Sequence, residues 1–413
     1  MSRRMLIKNI GVLQTPIGSH KHCGEAQGET LKLQNAAVLI EDGLIVDITG
    51  DGELPRGAER ATMMINANGS LVTPGLIDAH THLVFGGWRQ HELAMKLHGA
   101  TYLDILAAGG GILDTVAKTR AASEEELYQK GTRILDDMLR HGVTTAEIKS
   151  GYGLDLETEL KQLRVVKRLG DLHPVATSAT FLGAHAVPPE YKGRADEYIE
   201  FIIETVLPEV KKQRLAKACD IFCETGVFDA AQSRRLLTAA QELGFRLRVH
   251  ADEIDEIGGA TLAGELGALT AEHLIATGEA GADALAAGGV IAALLPQTSF
   301  YLDKTYAAAR MMIGKGIPVA IASDFNPGSC PSYDLQFAMT LGCLKYKMTP
   351  EEVLSAVTVN AACAVGMESR VGTLEIGKQA DLVVWDAPDL ETVCYRFGVN
   401  LAHIVIKNGE KVV

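Results

Sequence analysis

The sequence predicts an α/β fold, a (β/α)8 TIM-like barrel with a small composite β-sandwich domain made from both chain termini. Three observations carry this. Apolar runs alternate with helical segments through the middle of the chain. Both ends instead carry β-branched runs broken by turn dipeptides. Polar residues suited to chemistry gather where the apolar runs end, which a barrel would bring to one rim.

The ends come first. MLIKNIGVLQT and AAVLIEDGLIVDITG read as strands, the second folded at Asp42-Gly43. From about residue 371 the texture returns in VGTLEIGKQADLVVWD and LAHIVIKNGEKVV, with a turn at Asn408-Gly409. Packing both ends together gives a β-sandwich from 1–70 plus 371–413, around a barrel at 71–370. Barrel strands are expected at 71–83, 143–149, 175–185, 218–226, 246–253, 268–275, 290–299 and 318–326. Between them, Ser123 to Glu126 is a capping box opening a helix that stops before Gly142. Asp229 begins a helix ending at Gly244, and Thr349-Pro350 opens another with proline at its first position. An open doubly wound sheet is the alternative, and the rim pattern favours the barrel.

The chain has 413 residues, 47% hydrophobic and 22% charged, which suits a barrel plus a smaller unit rather than disorder. A net charge of −13 argues against nucleic acid or an acidic membrane as partner. An anionic substrate would need a local positive site. Seven scattered cysteines form no disulfide framework and fit a reducing compartment. Cys219 and Cys223 are four apart with no matching second pair. The N-terminus lacks a signal-peptide pattern, no window suits a membrane helix, and a cytoplasmic enzyme is expected. The basic run Lys211-Lys212-Gln213-Arg214 reads as a solvated helix face. Gly109-Gly110-Gly111 lacks the Lys-Ser/Thr of a phosphate loop and reads as a mobile loop.

The strand ends carry the chemistry. The first ends Asp78-Ala79-His80-Thr81-His82, the third Gly183-Ala184-His185, and the fifth His250-Ala251-Asp252-Glu253. The sixth ends Glu272-His273 and the eighth Ser323-Asp324-Phe325-Asn326. With His141, six of the twelve histidines lie at or beside strand ends. His80 and His82, two apart on a strand, point to the same face and can share a metal. With His250, His273 and Asp324 they suit catalytic zinc or non-haem iron.

PGLIDAHTHL resembles the first-strand signature of the amidohydrolase superfamily, and VGTLEIGKQADLVVWD resembles its return to the β-sandwich. Within it, HTHLVFGGWR, EIKSGYGL, FLGAHAVPPEY, VHADEID, AEHL and SDFNPGS resemble, in order, segments of the imidazolonepropionase family. The resemblance implies one zinc or iron per subunit on His80, His82, His250 and Asp324. Dinuclear relatives carry a bridging lysine on the fourth strand; ACDIFCETG has none, so one metal is expected and Glu224 is read as structural or as a support behind the ligands. The implied reaction is hydrolysis of 4-imidazolone-5-propanoate to N-formimino-L-glutamate. Asp324 would accept a proton from water, Glu253 would hold or shuttle protons, and His273 would polarise the carbonyl. Arg89, seven residues past His82 and after Gly86-Gly87, is the candidate guanidinium for a propionate tail. The resemblance adds Tyr102, Tyr152 and His185 as substrate contacts. Asn326, Gly328 and Ser329 are expected on the ring or product side. A homodimer is the default assembly. The alternatives are a mononuclear amidohydrolase deaminating an amino-heterocycle, and a scaffold that lost its chemistry, which the complete ligand set disfavours.

Overall fold

The computed structural model describes residues 3–99 and 110–413, so Tyr102 and Gly109 lie outside the described residues. The terminal strands are β1 (Arg4–Thr15), β2 (Leu31–Glu41), β3 (Leu44–Thr49), β4 (Met63–Asn66) and β5 (Leu71–Pro74). Then come the barrel strands β6 (Leu76–Asp78), β7 (Val143–Lys149), β8 (Ala176–Ala184) and β9 (Ala218–Cys223). The barrel continues with β10 (Arg246–Ala251), β11 (Thr270–His273), β12 (Ile291–Leu294) and β13 (Val319–Ile321). The chain ends with β14 (Leu382–Trp385), β15 (Ala402–Lys407) and β16 (Glu410–Lys411).

The barrel forms as expected, β6 to β13 pairing in chain order, with every adjacent pair parallel. Chain just past the first and last strands closes it. Thr81 bridges Phe325 in parallel, Asp324 N donates to His80 O (3.1 Å) and His82 N to Phe325 O (2.8 Å). His80 and His82 are therefore held where β6 and β13 meet.

One expected strand is two. The run at 71–83 breaks at Gly75, whose Cβ position lies 2.4 Å from the Thr144 side chain, closer than any side chain could sit. Before the break β5 pairs with β1 and β14; after it β6 pairs with β7.

The terminal strands form one sheet in the order β16-β15-β14-β5-β1-β2-β3, with β4 on β1. Its β3 edge is covered by the loop before β14, where Ile45 N donates to Lys378 O (2.9 Å) and Gly377 N to Ile45 O (2.8 Å). Alternation sorts its two faces. Met5, Ile7, Val38, Ile40, Leu382 and Ile406 fill the sheet's own core. Leu71, Val383, Trp385 and Val405 face the other way, into the core shared with the barrel and its helices.

The local signals held. Ser123 and Glu126 make a reciprocal capping box on the Glu124–Arg140 helix. Asp229 caps Ala230–Glu242, and Thr349 caps Pro350–Val357 with proline at the start. No helix among the described residues is long and apolar enough to cross a membrane.

Candidate active site

Six expected residues converge at the C-terminal rim. His80 Nε2 and His82 Nε2 lie 3.2 Å apart. Asp324 Oδ1 is 3.3 Å from the first and 3.5 Å from the second. The His250 ring centroid is 4.7 Å from that of His80 and 5.5 Å from that of His82. His273 stands 5.3 Å from His250, ring to ring, and its Nε2 is 3.6 Å from Glu253 Oε2.

Two of these residues sit in strained backbone. His273 (φ 69°) and Asp324 (φ 56°) occupy the left-handed region, uncommon for side chains with a Cβ. Such strain persists only where surroundings over-determine it, and it concentrates at functional sites. Here the closing hydrogen bonds of the barrel hold Asp324.

The donors fit a cation. His80, His82 and Asp324 offer atoms within 4.8 Å of one another, all buried, and His80, His250 and His273 do the same. The Nε2 of His250 is buried without a hydrogen-bond partner among the described residues. Burial, then the neighbouring imidazoles, push His82 and His250 well below the usual histidine range, leaving neutral rings as donors. Burial opposes charge on Asp324, but His80, His273 and the Thr298 hydroxyl hold its carboxyl down at about 2. Imidazoles plus one carboxylate are the donor set of a catalytic zinc or iron site.

The expected substrate-side residues gather beside this cluster. His185 stacks on His82 (centroids 5.0 Å, 17° between planes), and Tyr152 lies 5.3 Å from His185. Burial, then His250, push His185 down to about 3. The Tyr152 loop is pinned by the buried Glu159, whose carboxylate accepts from the backbone N–H of Gly151 (3.1 Å), Gly153 (2.8 Å) and Leu154 (2.9 Å). Burial pushes the Tyr152 phenol up, and the Arg89 charge pulls against it. Arg89 packs on Gly328 so closely that a Cβ there would overlap its guanidinium at 1.3 Å. Its Nε has no hydrogen-bond partner among the described residues, and Glu92 Oε1, the nearest carboxylate oxygen among them, is 3.9 Å away.

Asn326 is committed to its own loop. Its Oδ1 accepts from Gly328 N (2.9 Å) and Ser329 N (2.8 Å), and its Nδ2 donates to Asp324 O (2.8 Å). Glu224 accepts from Ile254 N (2.8 Å) and Asp255 N (3.2 Å) and so fixes the turn after Glu253.

Sequence reasoning missed a buried ionic layer under the imidazoles, made of Glu147, Lys149, Asp220, Arg248 and Glu272. His80 Nδ1 is 2.9 Å from Glu272 Oε2, and His250 Nδ1 is 3.0 Å from Asp220 Oδ2. Both are close charge contacts in which the ring nitrogens lack well-aligned hydrogen bonds. The signal was present: charged residues inside apolar strands, Glu147 and Lys149 at alternate positions, must face the barrel interior.

The model of the amidohydrolase family matches residues 71–412. An imidazolonepropionase of Alkaliphilus metalliredigens (strain QYMF) is 52% identical, covering 99% of this chain and 98% of its own. That of Bacillus velezensis is 51% identical, over 99% of this chain and 96% of its own. Among solved structures, a triazine hydrolase variant aligns over 100% of this chain and 95% of its own, with TM-score 0.73 and 17% identity. A zinc-bound adenosine deaminase of Xanthomonas campestris aligns over 98% and 92%, with TM-score 0.68 and 20% identity. These two speak for the fold alone. The chain belongs to the amidohydrolase family, a family of hydrolases, and within it to the imidazolonepropionases.

Proposed function

We propose that the chain hydrolyses 4-imidazolone-5-propanoate to N-formimino-L-glutamate in histidine degradation. The observation that carries this is the convergence of His80, His82, His250 and Asp324 beside Arg89, whose guanidinium Nε has no hydrogen-bond partner among the described residues. Near 51% identity to imidazolonepropionases over almost the whole chain supports it. His80, His82, His250 and Asp324 would hold one zinc or iron ion per subunit. When bound, that ion supplies Lewis acidity, lowering the pKa of a water from 15.7 toward about 7.

The chain's own groups do the rest. Arg89 grips the propionate carboxylate in a charge-assisted pair. Tyr152 and His185 hydrogen-bond the substrate, as does Tyr102, and Asn326 shapes the loop that presents Gly328 and Ser329 to the ring. The ionised Asp324 accepts a proton from the attacking water. His273, whose Nδ1 has no partner among the described residues, polarises the ring carbonyl and stabilises the oxyanion. Glu253, next to His273 Nε2, also borders the substrate; starting ionised, it takes over that proton from Asp324 and delivers it to the ring nitrogen as the carbonyl C–N bond breaks. The oxygen of water becomes part of the new carboxylate, and the freed nitrogen becomes that of the formimino group. The enzyme would act on this small anion as a cytoplasmic homodimer, without nucleic acid or membrane. The net charge of −13 supports the reading without nucleic acid or membrane, and seven free cysteines support a reducing compartment.

The test follows the ultraviolet absorbance of freshly generated 4-imidazolone-5-propanoate, with and without chelator. Fast, chelator-sensitive loss is expected. A metal-replete sample that leaves the imidazolone intact but releases ammonia from an amino-heterocycle would overturn the proposal in favour of a deaminase.

A further inference from the structure

The ionic layer beneath the imidazoles is built around one side chain. Lys149 is fully buried. Its Nζ lies 2.9 Å from Asp220 Oδ2, 3.0 Å from Glu272 Oε2 and 3.2 Å from Glu147 Oε1. An ammonium has three donors and here meets three carboxylates. Each carboxylate also touches the segment carrying a candidate ligand. Asp220 Oδ2 is 3.0 Å from His250 Nδ1, and its Oδ1 accepts from His250 N (3.2 Å). Glu272 Oε2 is 2.9 Å from His80 Nδ1. Glu147 Oε2 accepts from the N–H of Thr81, between His80 and His82 (3.4 Å). Lys149 N itself donates to Thr81 O (2.9 Å). Arg248 closes the layer from below, its guanidinium 2.9 Å from Glu272 Oε1.

Replacing such a buried ionic cluster by apolar side chains is often neutral or stabilising, so stability alone does not account for it. What apolar packing could not do is face both imidazoles with carboxylates held at fixed distance from one another. Three carboxylates against two permanent cations leave one net negative charge in this layer. Nδ1 of His80 and Nδ1 of His250 each face one of these carboxylates, and carboxylate partners of this kind fix the orientation of ligand imidazoles.

We infer that Lys149 is a positioning residue for metal binding: it ties Asp220, Glu272 and Glu147 into one unit that orients His80 and His250 and sets how tightly the ion is held. The inference rests on the ligand set proposed above. Without the ammonium, Asp220 and Glu272 repel, and each imidazole loses a fixed partner. Partners of ligand imidazoles typically matter by about 10–100-fold in metal affinity.

The test measures transfer of zinc from the loaded protein to a chelator, for the wild type and for Lys149→Met. The variant is expected to release metal about 10–100-fold faster, and its cobalt-loaded form to show shifted visible bands. Lys149→Met/Glu147→Gln keeps the net charge of the layer and guards against a variant that fails to fold; it should still release metal faster. If neither folds, Asp220→Asn, close in shape, breaks the link to His250 and is read by the same assay. Wild-type release and wild-type cobalt bands in a folded variant would overturn the role of Lys149. A wild-type protein that takes up neither zinc nor iron would instead overturn the ligand set.

Discussion

Arg89 and Gly328 show how much rests on one missing methyl group. The guanidinium occupies the space that a Cβ at 328 would need. Arg89→Ala should raise KM by roughly tenfold or more with kcat little changed, from loss of a charge-assisted pair worth about 1.5–3 kcal/mol. Gly328→Ala should shift KM the same way by displacing the guanidinium. Steady-state kinetics check both, and an unchanged KM in Arg89→Ala would remove that residue from carboxylate recognition. Glu253 gives a pH prediction. Burial raises its carboxyl above the ordinary 4.5. If it must be ionised to work, kcat/KM falls as pH drops through a value above 4.5, and Glu253→Gln should lose that acid limb along with most of the rate. The stability sign is opposite. A raised folded-state pKa favours the fold below the unfolded value, and that contribution is lost as pH rises. Glu253→Gln should therefore be no less stable than the wild type near neutrality, a thermal melt being the check.

At the scale of elements, the site is made by strand ends and by short loops pinned from behind. The Gly151–Leu154 loop carries Tyr152, and the buried Glu159 holds it through three backbone N–H groups. Glu159→Ala would leave those donors unsatisfied, at about 1–3 kcal/mol each before water enters. The expected result is a lower melting temperature and a higher KM, because Tyr152 and the adjoining His185 lose their fixed position. By contrast Ser123→Ala, at an exposed cap whose hydroxyl pairs with Glu126, should cost about 1 kcal/mol and leave KM unchanged. The caps, the Asp-Gly and Asn-Gly turns and all eight barrel strands were legible because each depends on neighbours in sequence. The break at Gly75 was not. It arises from the approach of Thr144, on another strand, and from pairing with terminal strands far along the chain.

At the scale of the molecule, the closed barrel brings together residues spread from His80 to Asp324, so metal binding and global stability are coupled. Removal of the ion should lower the melting temperature, since a ligand bound only by the folded state stabilises it by about 2.7 kcal/mol at one hundred times its Kd. Re-addition of zinc or iron should restore it. His250→Ala should abolish activity, lower bound metal and blunt that response; a variant with full metal content and full rate would sink its assignment as a ligand.

The sequence by itself determined the barrel, the composite terminal sheet and the polar residues of the rim. Periodicity, caps and turn dipeptides are local, and the ends of parallel strands in a barrel share one face. It also carried the family resemblance in its strand-end motifs. Only the tertiary structure decided which charges meet. Lys149, Asp220 and Glu272 come from three different strands, and nothing in their spacing says that one ammonium joins them. The same is true of Arg89 against Gly328. Such contacts depend on how strands register around a closed barrel, where small shifts separate an ion pair from an unpaired buried charge, and that register is set by the whole fold.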